Sequence, residues 1–545
     1  MKHAFWALTL IAGITACSNN SDSDGNSGGD TSSPALLNAD QHIDPIFPPQ
    51  GQVHTHASNL ALCGDHVMAV WFSGDGERTG NEVRIKGSTA RIPQTGALTW
   101  QPAFDVGYNG TGTPDTNPAL ITEPAQGGAV CASVEAIWET INFKDWAGAE
   151  LRYRDATVST DSNGNPSFDW EQGLAGERFT LNLADGFKDT LADQLGNSWP
   201  LKNNRFDPVG FASFAVGIVT PEALYEAIMS LLKGRMSAMS DLEFAAMADR
   251  LSDVNDTEGS ALNQLIESTQ GPGQLLTSID TLRSAGSKIE GLLTFVFRLY
   301  DQYVIARLET RTLDSDSRYY QLGWETRENP QIIKRGDQER WLLPLYSDDL
   351  GISVVAYSDD DGDSWTATTI ATRQGIQPSV VETTNTCEDN SQQLMAIMRN
   401  NGGVLNLNRA LVSYSCNSAT AWKPAQPLLA IKNESSSLTA KRITWAGDDR
   451  ISIVYNPDSK RESLNLALGS TAGADFNVQT LLDVDASKKD LGISYQYPAL
   501  VQLPGGDLVI SFSWHTGNTP SCTRVAKDCQ TIGVVRMNPD TISRP

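Results

Sequence analysis

The sequence predicts an all-β chain of many short strands with one helical segment set into it. Two observations predict the strands. Apolar residues alternate with polar ones over short runs, and Gly, Asp and Asn punctuate the runs. Glycine (45 residues) and proline (25 residues) are too frequent for a mainly helical chain. A third observation predicts the insertion: alternation disappears over residues 218–310, where apolar residues recur at helical spacing. Strands joined by tight turns in this way build a sandwich or a propeller. The 545 residues then need only one large all-β domain, a leader and the insertion.

Residues 1–16 carry Lys2 and an apolar run from Phe5 to Ile14, the form of an export leader. That run falls short of the roughly 17 residues a spanning helix needs. Ile14-Thr15-Ala16-Cys17 resembles a bacterial lipoprotein box, which implies lipidation at Cys17. Ser18 is compatible with sorting to the outer membrane. The implied location is the bacterial cell envelope, lipid-anchored in the outer membrane, facing either the periplasm or the surface. An ordinary secretory signal is the alternative. Residues 17–38 are polar and glycine-rich and read as a flexible tether. The β domain occupies 39–545, interrupted by 218–310.

Within that domain, Asn59 to Phe72 reads as two strands around Gly64-Asp65, and another pair surrounds Leu151 to Thr157. In the insertion, Thr220-Pro221-Glu222 has the form of an N-cap with proline at the first helical position. Leu224, Ile228, Leu231 and Leu232 come next at helical spacing, as do Leu292, Val296, Leu299, Tyr303 and Ala306 later. Gly271-Pro272-Gly273 interrupts the helices, and the whole reads as a lid or brace on one blade. After residue 335 the strand rhythm returns at Arg340 to Leu345, Ile352 to Tyr357, Leu394 to Met398, Ile451 to Tyr455 and Leu508 to Phe512.

Beyond Cys17, six cysteines remain, an even number that favours disulfides in an exported chain. Cys522 and Cys529 enclose a short loop, Cys387 and Cys416 flank a predicted hairpin, and Cys63 with Cys131 would be the third pair. Six cysteines allow 15 connectivities, so the pairing stays open. Zinc is the weaker reading, because no tight CxxC occurs and only six histidines are present. The net charge of -24, from 41 basic and 65 acidic side chains, excludes a phosphate-backbone binder. Any acidic ligand has to be met by a few placed arginines.

Ser358-Asp359-Asp360-Asp361-Gly362-Asp363-Ser364-Trp365 is the sharpest local motif. Its Ser, Asp, Gly and Trp spacing resembles the Asp box of sialidase-type propellers. Such an aspartate accepts backbone N–H groups in a tight turn, and the tryptophan packs back on the blade. The box is therefore structural. Degenerate copies lie at Ser88 to Trp100 and Ser415 to Trp422. Further stretches resemble the bacterial sialidase-like repeat family in order along residues 54–540. They include His56 to Leu60, Ala69 to Gly74, Asn117-Pro118-Ala119-Leu120, Arg327-Glu328-Asn329-Pro330, Ile376-Gln377-Pro378-Ser379, Val454 to Pro457 and Ser494 to Leu500. The resemblance implies a six-bladed β-propeller of sialidase type. Its blades would lie near 55–120, 130–215, 335–380, 390–430, 440–485 and 495–540, with the segment near 40–50 closing the ring.

The resemblance also implies three arginines on a substrate carboxylate, a tyrosine nucleophile paired with a glutamate, and an aspartate acid/base. A guanidinium fork suits a carboxylate, and a phenol needs a nearby base before it attacks. Arg399, Arg84 and Arg461 are the candidate clamp, with Arg327 a fourth. Tyr495 or Tyr497 is the candidate nucleophile, and Glu135 or Glu328 the base. Asn329, Gln377 and Asn456 are candidates for hydroxyl recognition, and Asp75, Asp115 and Asp145 for the acid. His56 departs from the sialidase pattern. A histidine beside a tyrosine would suit acid/base work or β-elimination from a uronic acid. Three functions fit: an exo-α-sialidase-like glycoside hydrolase taking a terminal acidic sugar, a lyase or other glycosidase acting on uronate polysaccharide, or a non-catalytic glycan-binding propeller. The expected partner is an acidic sugar or polysaccharide, with a lipid anchor, a monomeric state, no cofactor, no metal and no nucleic acid.

Overall fold

The alternating runs form six sheets of four or more strands among the described residues. The computed structural model describes residues 35–37, 42–48, 53–125, 129–215, 217–237, 239–252, 269, 271–312, 321–370, 372–388, 391–517 and 529–541. Cys17 and Cys522 lie outside them, as do the leader and most of the tether.

Strand β1 (Asp44–Pro45) precedes the first sheet. That sheet holds β2 (His54–Cys63), β3 (His66–Gly74) and β4 (Arg84–Arg91), with β5 (Thr99–Trp100) and β6 (Phe104–Gly107) both paired to β4. The second holds β7 (Asp115–Glu123), β8 (Ser133–Ile141), β9 (Ala149–Thr160) and β10 (Pro166–Trp170), with β11 (Glu177–Arg178) on β9. Strand β12 (Leu181–Leu183) leaves the second sheet and pairs in parallel with a strand of the third.

The helices come next: α1 (Phe187–Asn197), a two-stranded hairpin of β13 (Leu201–Lys202) and β14 (Arg205–Phe206), then α2 (Pro208–Ala215), α3 (Pro221–Met236), α4 (Asp241–Ser252), α5 (Pro272–Ser284) and α6 (Ile289–Thr312). Helix therefore begins at Phe187, ahead of the boundary expected at 218, and the strands of the second sheet stop well before 215. In α3 the Thr220 hydroxyl accepts from the Ala223 amide at 3.2 Å, and Pro221 opens the helix. Leu224, Ile228 and Leu232 then face inward and are buried.

The third sheet is β15 (Glu325–Thr326), β16 (Gln331–Arg335), β17 (Gln338–Ser347), β18 (Ile352–Ser358) and β19 (Trp365–Ile370). The fourth is β20 (Gly375–Thr386), β21 (Gln392–Asn400), β22 (Arg409–Ser415) and β23 (Gln426–Lys432). The fifth is β24 (Leu438–Trp445), β25 (Asp448–Tyr455), β26 (Ser463–Gly469) and β27 (Asn477–Asp483). The last is β28 (Ser494–Gln502), β29 (Leu508–His515) and β30 (Gln530–Met537), completed by β1 on β30. Antiparallel sheets whose inner strands touch in sequence, β2 on β7, β17 on β20, β20 on β24, β24 on β28 and β28 on β2, make a multi-bladed, propeller-like fold.

The helical region packs on the third sheet, sharing one apolar core with it. Three arginines secure the junction. Arg373 forks onto Asp301 of α6 at 2.8 and 2.7 Å. Arg307 of α6 reaches Asp349 at 2.8 Å. Arg235 of α3 donates to the carbonyls of Asp349 and Asp348 at 2.9 and 3.0 Å. Two disulfides join described residues, Cys63–Cys131 between the first and second sheets and Cys387–Cys416 on the fourth. Cys529 is also disulfide-bonded.

The Asp box closes the β18–β19 turn. Asp360 accepts from the Ser358 hydroxyl (2.7 Å) and the Ser364 amide (2.9 Å), and the Trp365 indole donates to the Gly362 carbonyl at 2.9 Å. The copy at Ser415 repeats the pattern with Asn417 as acceptor and Ala419, at φ 73°, in the glycine position. In the stretch from Ser88, the serine instead donates to the Gln101 carbonyl at 2.6 Å.

Candidate functional site

One backbone device recurs in four inner strands. In β2, β7, β20 and β28, two residues oppose one on the neighbouring strand: Ala57-Ser58, Asn117-Pro118, Gln377-Pro378 and Tyr497-Pro498. The first residue of each pair has positive φ, at 53°, 46°, 52° and 52° respectively. Such bulges interrupt side-chain alternation and re-aim the neighbouring side chains. Proline fits the second position in three of them because the ladder needs no N–H there. The stretches carrying the family resemblance are largely these bulges.

The bulges bring together much of what the sequence nominates. The Tyr497 hydroxyl lies 3.1 Å from Arg399 Nη1. The guanidinium carbons of Arg327 and Arg461 stand 5.3 and 5.4 Å from the Tyr497 ring centre. The His56 ring lies 4.2 Å from that ring, centre to centre. Gln377 accepts from Arg399 Nη1 at 3.2 Å and donates to the Tyr346 hydroxyl at 3.3 Å. Arg399 also donates to Asn401 Oδ1 (3.3 Å) and the Ser435 hydroxyl (3.0 Å). Arg461, itself at φ 59°, donates to Gln496 Oε1 at 2.6 Å and to the Ser435 carbonyl at 3.1 Å.

These partners are neutral. Among the described residues neither Arg399 nor Arg461 forms an ion pair with a carboxylate, although the chain carries 65 acidic side chains. Arg327 differs. It is 1% exposed, lies 3.7 Å from Glu328 and donates to the Pro498 carbonyl, so it is a buried cation behind the tyrosine. Burial is the first cause holding the His56 imidazole well below its ordinary pKa, and His54 and Arg461 add to it. His56 is therefore neutral at neutral pH, and its buried Nδ1 has no hydrogen-bond partner.

A second buried group lies alongside. Glu139 accepts from Asn117 Nδ2 (2.5 Å), Thr116 Oγ1 (3.2 Å) and the Thr326 amide (3.2 Å). Glu325 accepts from the Asp348 amide at 2.9 Å and is hydrogen-bonded by Tyr346. Burial drives both carboxyls well above the usual range. Burial, with those two acids, likewise raises the Tyr346 phenol. Glu77, on the loop after β3, is raised by burial and pulled back by Arg461 and Arg399. Sequence reasoning missed Glu139, Glu325, Tyr346 and Glu77. The available signal was a carboxylate within the apolar strand Ser133–Ile141.

Other nominated residues lie elsewhere. Arg84 pairs with Asp105 at 3.3 Å and covers the Tyr108 ring at 4.0 Å, joining none of the site groups. Tyr495 is 1% exposed and packs edge-on against Phe512 in the apolar core between the last two sheets. Glu135 sits low on β8, where burial and Asp155 raise its pKa to about 8, away from Tyr497. Glu328 accepts from Thr439 at 2.8 Å and is raised by burial. Asn329 staples two strands, donating to the Leu60 carbonyl (2.6 Å) and accepting from the Leu120 amide (2.9 Å). Asn456 donates to the carbonyls of Ser463 and Tyr495, both at 2.7 Å. Asp75 and Asp145 cap loop amides. Asp115 holds Trp138 and the Asn109 amide, with its pKa pushed up to about 6 by burial. Among the described residues no three His, Cys, Asp or Glu side chains converge as metal ligands. Among the same residues no helix is long and apolar enough to cross a membrane.

A family model described as a BNR repeat-like domain matches residues 326–510. No curated protein matches the chain. Among solved structures, a Trypanosoma rangeli sialidase is similar at 11% identity and TM-score 0.48, over 93% of this chain and 59% of that one. The NanB sialidase of Streptococcus pneumoniae is similar at 10% identity and TM-score 0.47, over 93% of this chain and 72% of that one. A Dyadobacter fermentans protein of unknown function is similar at 12% identity and TM-score 0.46, over 91% and 97%. This chain spans little more than half the length of the Trypanosoma structures. The matched stretch, residues 326–510, runs from the end of β15 into β29 of the multi-bladed fold.

Proposed function

We propose that this protein is an exported, lipid-anchored glycoside hydrolase of the bacterial envelope that removes a terminal acidic sugar, in the manner of an exo-α-sialidase. Its six sheets serve as the blades of a closed ring, with β1 on β30 as the closing contact. One observation carries the functional reading: Arg399 and Arg461 meet at Tyr497 with only neutral oxygens as hydrogen-bond partners, while the Glu77 carboxyl feels both charges without pairing with either. A carboxylate can replace those neutral acceptors, adding the attraction of opposite charges and a planar match to the guanidinium fork. It would bind on Arg399 and Arg461, with Arg327 adding positive potential from behind. The Tyr497 oxygen then bonds to the anomeric carbon as the glycosidic C–O bond breaks, the neutral His56 imidazole takes the phenol proton, and the leaving oxygen takes a proton from water. Water on the reverse step releases the sugar and returns the phenol.

A second reading has its own support. The carboxyls go to Tyr346, whereas Tyr497 is met by arginines and a neutral histidine. Neutral histidine with tyrosine suits β-elimination from a uronate, the histidine taking the proton beside the clamped carboxylate. Product analysis on sialyl conjugates and uronate polysaccharides decides. Free sialic acid supports hydrolysis, and an unsaturated uronate absorbing in the ultraviolet supports elimination. Saturable binding without product supports a glycan-binding role. Absence of both binding and product from folded protein overturns the acidic-sugar site.

A further inference from the structure

A short chain of hydrogen bonds runs from the helical region to Arg399. Arg399 Nη2 donates to Asn401 Oδ1 at 3.3 Å. Asn401 is fixed from two directions: its amide donates to the Gln374 carbonyl at 2.7 Å, and its Nδ2 donates to Asp348 Oδ1 at 3.3 Å. Asp348 opens the turn after β17, and Gln374 ends the segment between β19 and β20, so neither lies in a strand. Arg235, in the last turn of α3, ties both of them. It donates to the carbonyls of Asp349 and Asp348 at 2.9 and 3.0 Å and to Gln374 Oε1 at 3.4 Å.

Gln374 carries a left-handed backbone, φ 65°, which a residue with a side chain keeps only where its surroundings over-determine it. Those surroundings come from the helices. Its Nε2 donates to the Tyr300 hydroxyl of α6 at 2.8 Å, and its Oε1 accepts from Arg235. Gly351 clears the space, because a Cβ there would collide with the Gln374 amide. Arg307 of α6 grips the same turn at the Asp349 carboxylate, one residue away from the contact to Asn401.

We infer that Arg235 is a positioning residue for Arg399: through Asp348, Gln374 and Asn401, the helical region sets the guanidinium that meets the acidic ligand. Asn401 is neutral, so it orients Arg399 and leaves its charge for a carboxylate. A guanidinium already held in place loses less side-chain freedom when that carboxylate docks. The effect on affinity rests on the acidic-sugar reading of the site, whereas the effect on Arg399 itself does not.

Arg235→Met removes the donors and keeps the stem. On a sialyl conjugate it should raise KM, or Kd where no product forms, about tenfold and leave kcat within about twofold, because the carboxylate is held alike before and in the transition state. Arg235→Lys, which restores a donor for the carbonyls, should return KM to within about threefold of wild type. Asn401→Ala should raise KM alike, and adding Arg235→Met to it should change KM by less than about twofold, since the two act in series. Arg307→Gln loosens the same junction and should lower the unfolding temperature with KM unchanged. Arginine side-chain ¹H–¹⁵N spectra need no sugar: Arg399 Nη signals resolved in wild type should merge in Arg235→Met, or in Arg235→Gln if the methionine variant does not fold. Multiplying KM effects in the double variant, an equal KM rise in Arg307→Gln, or Arg399 signals that ignore Arg235 overturn the inference while the acidic-sugar site stands. Absence of binding and turnover in wild type overturns that site instead, and the Arg399 spectra then decide the positioning alone.

Discussion

Glutamine at Glu135 separates that carboxyl from the cluster around Tyr497. The Glu135 carboxyl has its pKa raised to about 8 by burial and by Asp155, against an ordinary value of 4.5. A raised folded value means that the protonated form fits the fold. The stabilising state is complete below about 4.5 and is lost as pH rises through about 8. At pH 7 the gap above the unfolded value is about 2.5 units, or about 3 kcal/mol at 1.36 kcal/mol per unit. The side chain is only partly buried, so water access reduces this to about 1–2 kcal/mol. Glu135→Gln keeps the shape of the neutral acid and removes the ionisation. Urea unfolding should therefore show the variant more stable by about 1–2 kcal/mol at pH 7–8 and equal to wild type at pH 4.5. Glycan binding and turnover should be unchanged. A variant with unaltered pH dependence would refute the placement of the charge, and loss of turnover would refute its exclusion from the site.

The two tyrosines give the next contrast: Tyr497→Phe should cut turnover of the acidic-sugar substrate by about a thousandfold or more, while Tyr495→Phe keeps it within about threefold. Asn329→Ala should cost about 2–4 kcal/mol in urea unfolding, because the Leu60 carbonyl and Leu120 amide both lose a buried partner; a loss under about 0.5 kcal/mol would refute the staple. Long-range ¹H–¹⁵N spectra should show His56 neutral at pH 6.5, its ordinary midpoint, because its folded pKa is depressed. Its contribution to stability is then present above 6.5 and is lost as pH falls below that value, and half-protonation at pH 6.5 would contradict this.

The strands were legible as short apolar runs bounded by turn residues, as in Gln338–Ser347 and Ile352–Ser358, which are buried on both faces along most of their length. Helix α3 was legible from Thr220-Pro221. Helix α1 was not, although Phe187, Leu191 and Leu195 recur every four residues. Eleven residues directly after the short strand Leu181–Leu183 leave the period ambiguous. Gln377 stood out as a polar residue at the end of an apolar strand, Arg399 as the arginine after Leu394 to Met398, and Arg461 as the arginine after the Asn456 loop. Tyr495 and Tyr497 could not be ranked from sequence. Residues two apart on a strand normally share a face, and only the bulge at Tyr497-Pro498 parts them. Glu139 and Glu325 gained importance from depth alone. Among 65 acidic residues, Glu139 carried one local mark, its place in the apolar strand Ser133–Ile141, but Glu135 shares that mark, and nothing comparable singles out Glu325.

The four bulges also divide labour along each inner strand. On either side the ladder hydrogen bonds carry the fold, while at residues 57, 117, 377 and 497 the backbone has already adopted its costly torsion. Each position is a socket whose side chain can be exchanged without renegotiating register, since the neighbouring pairs stay in place. Asparagine, glutamine, tyrosine and alanine occupy these sockets here. Changing what these strands present is therefore a matter of refitting four points, one in each of four sheets, with the cores between the sheets left untouched.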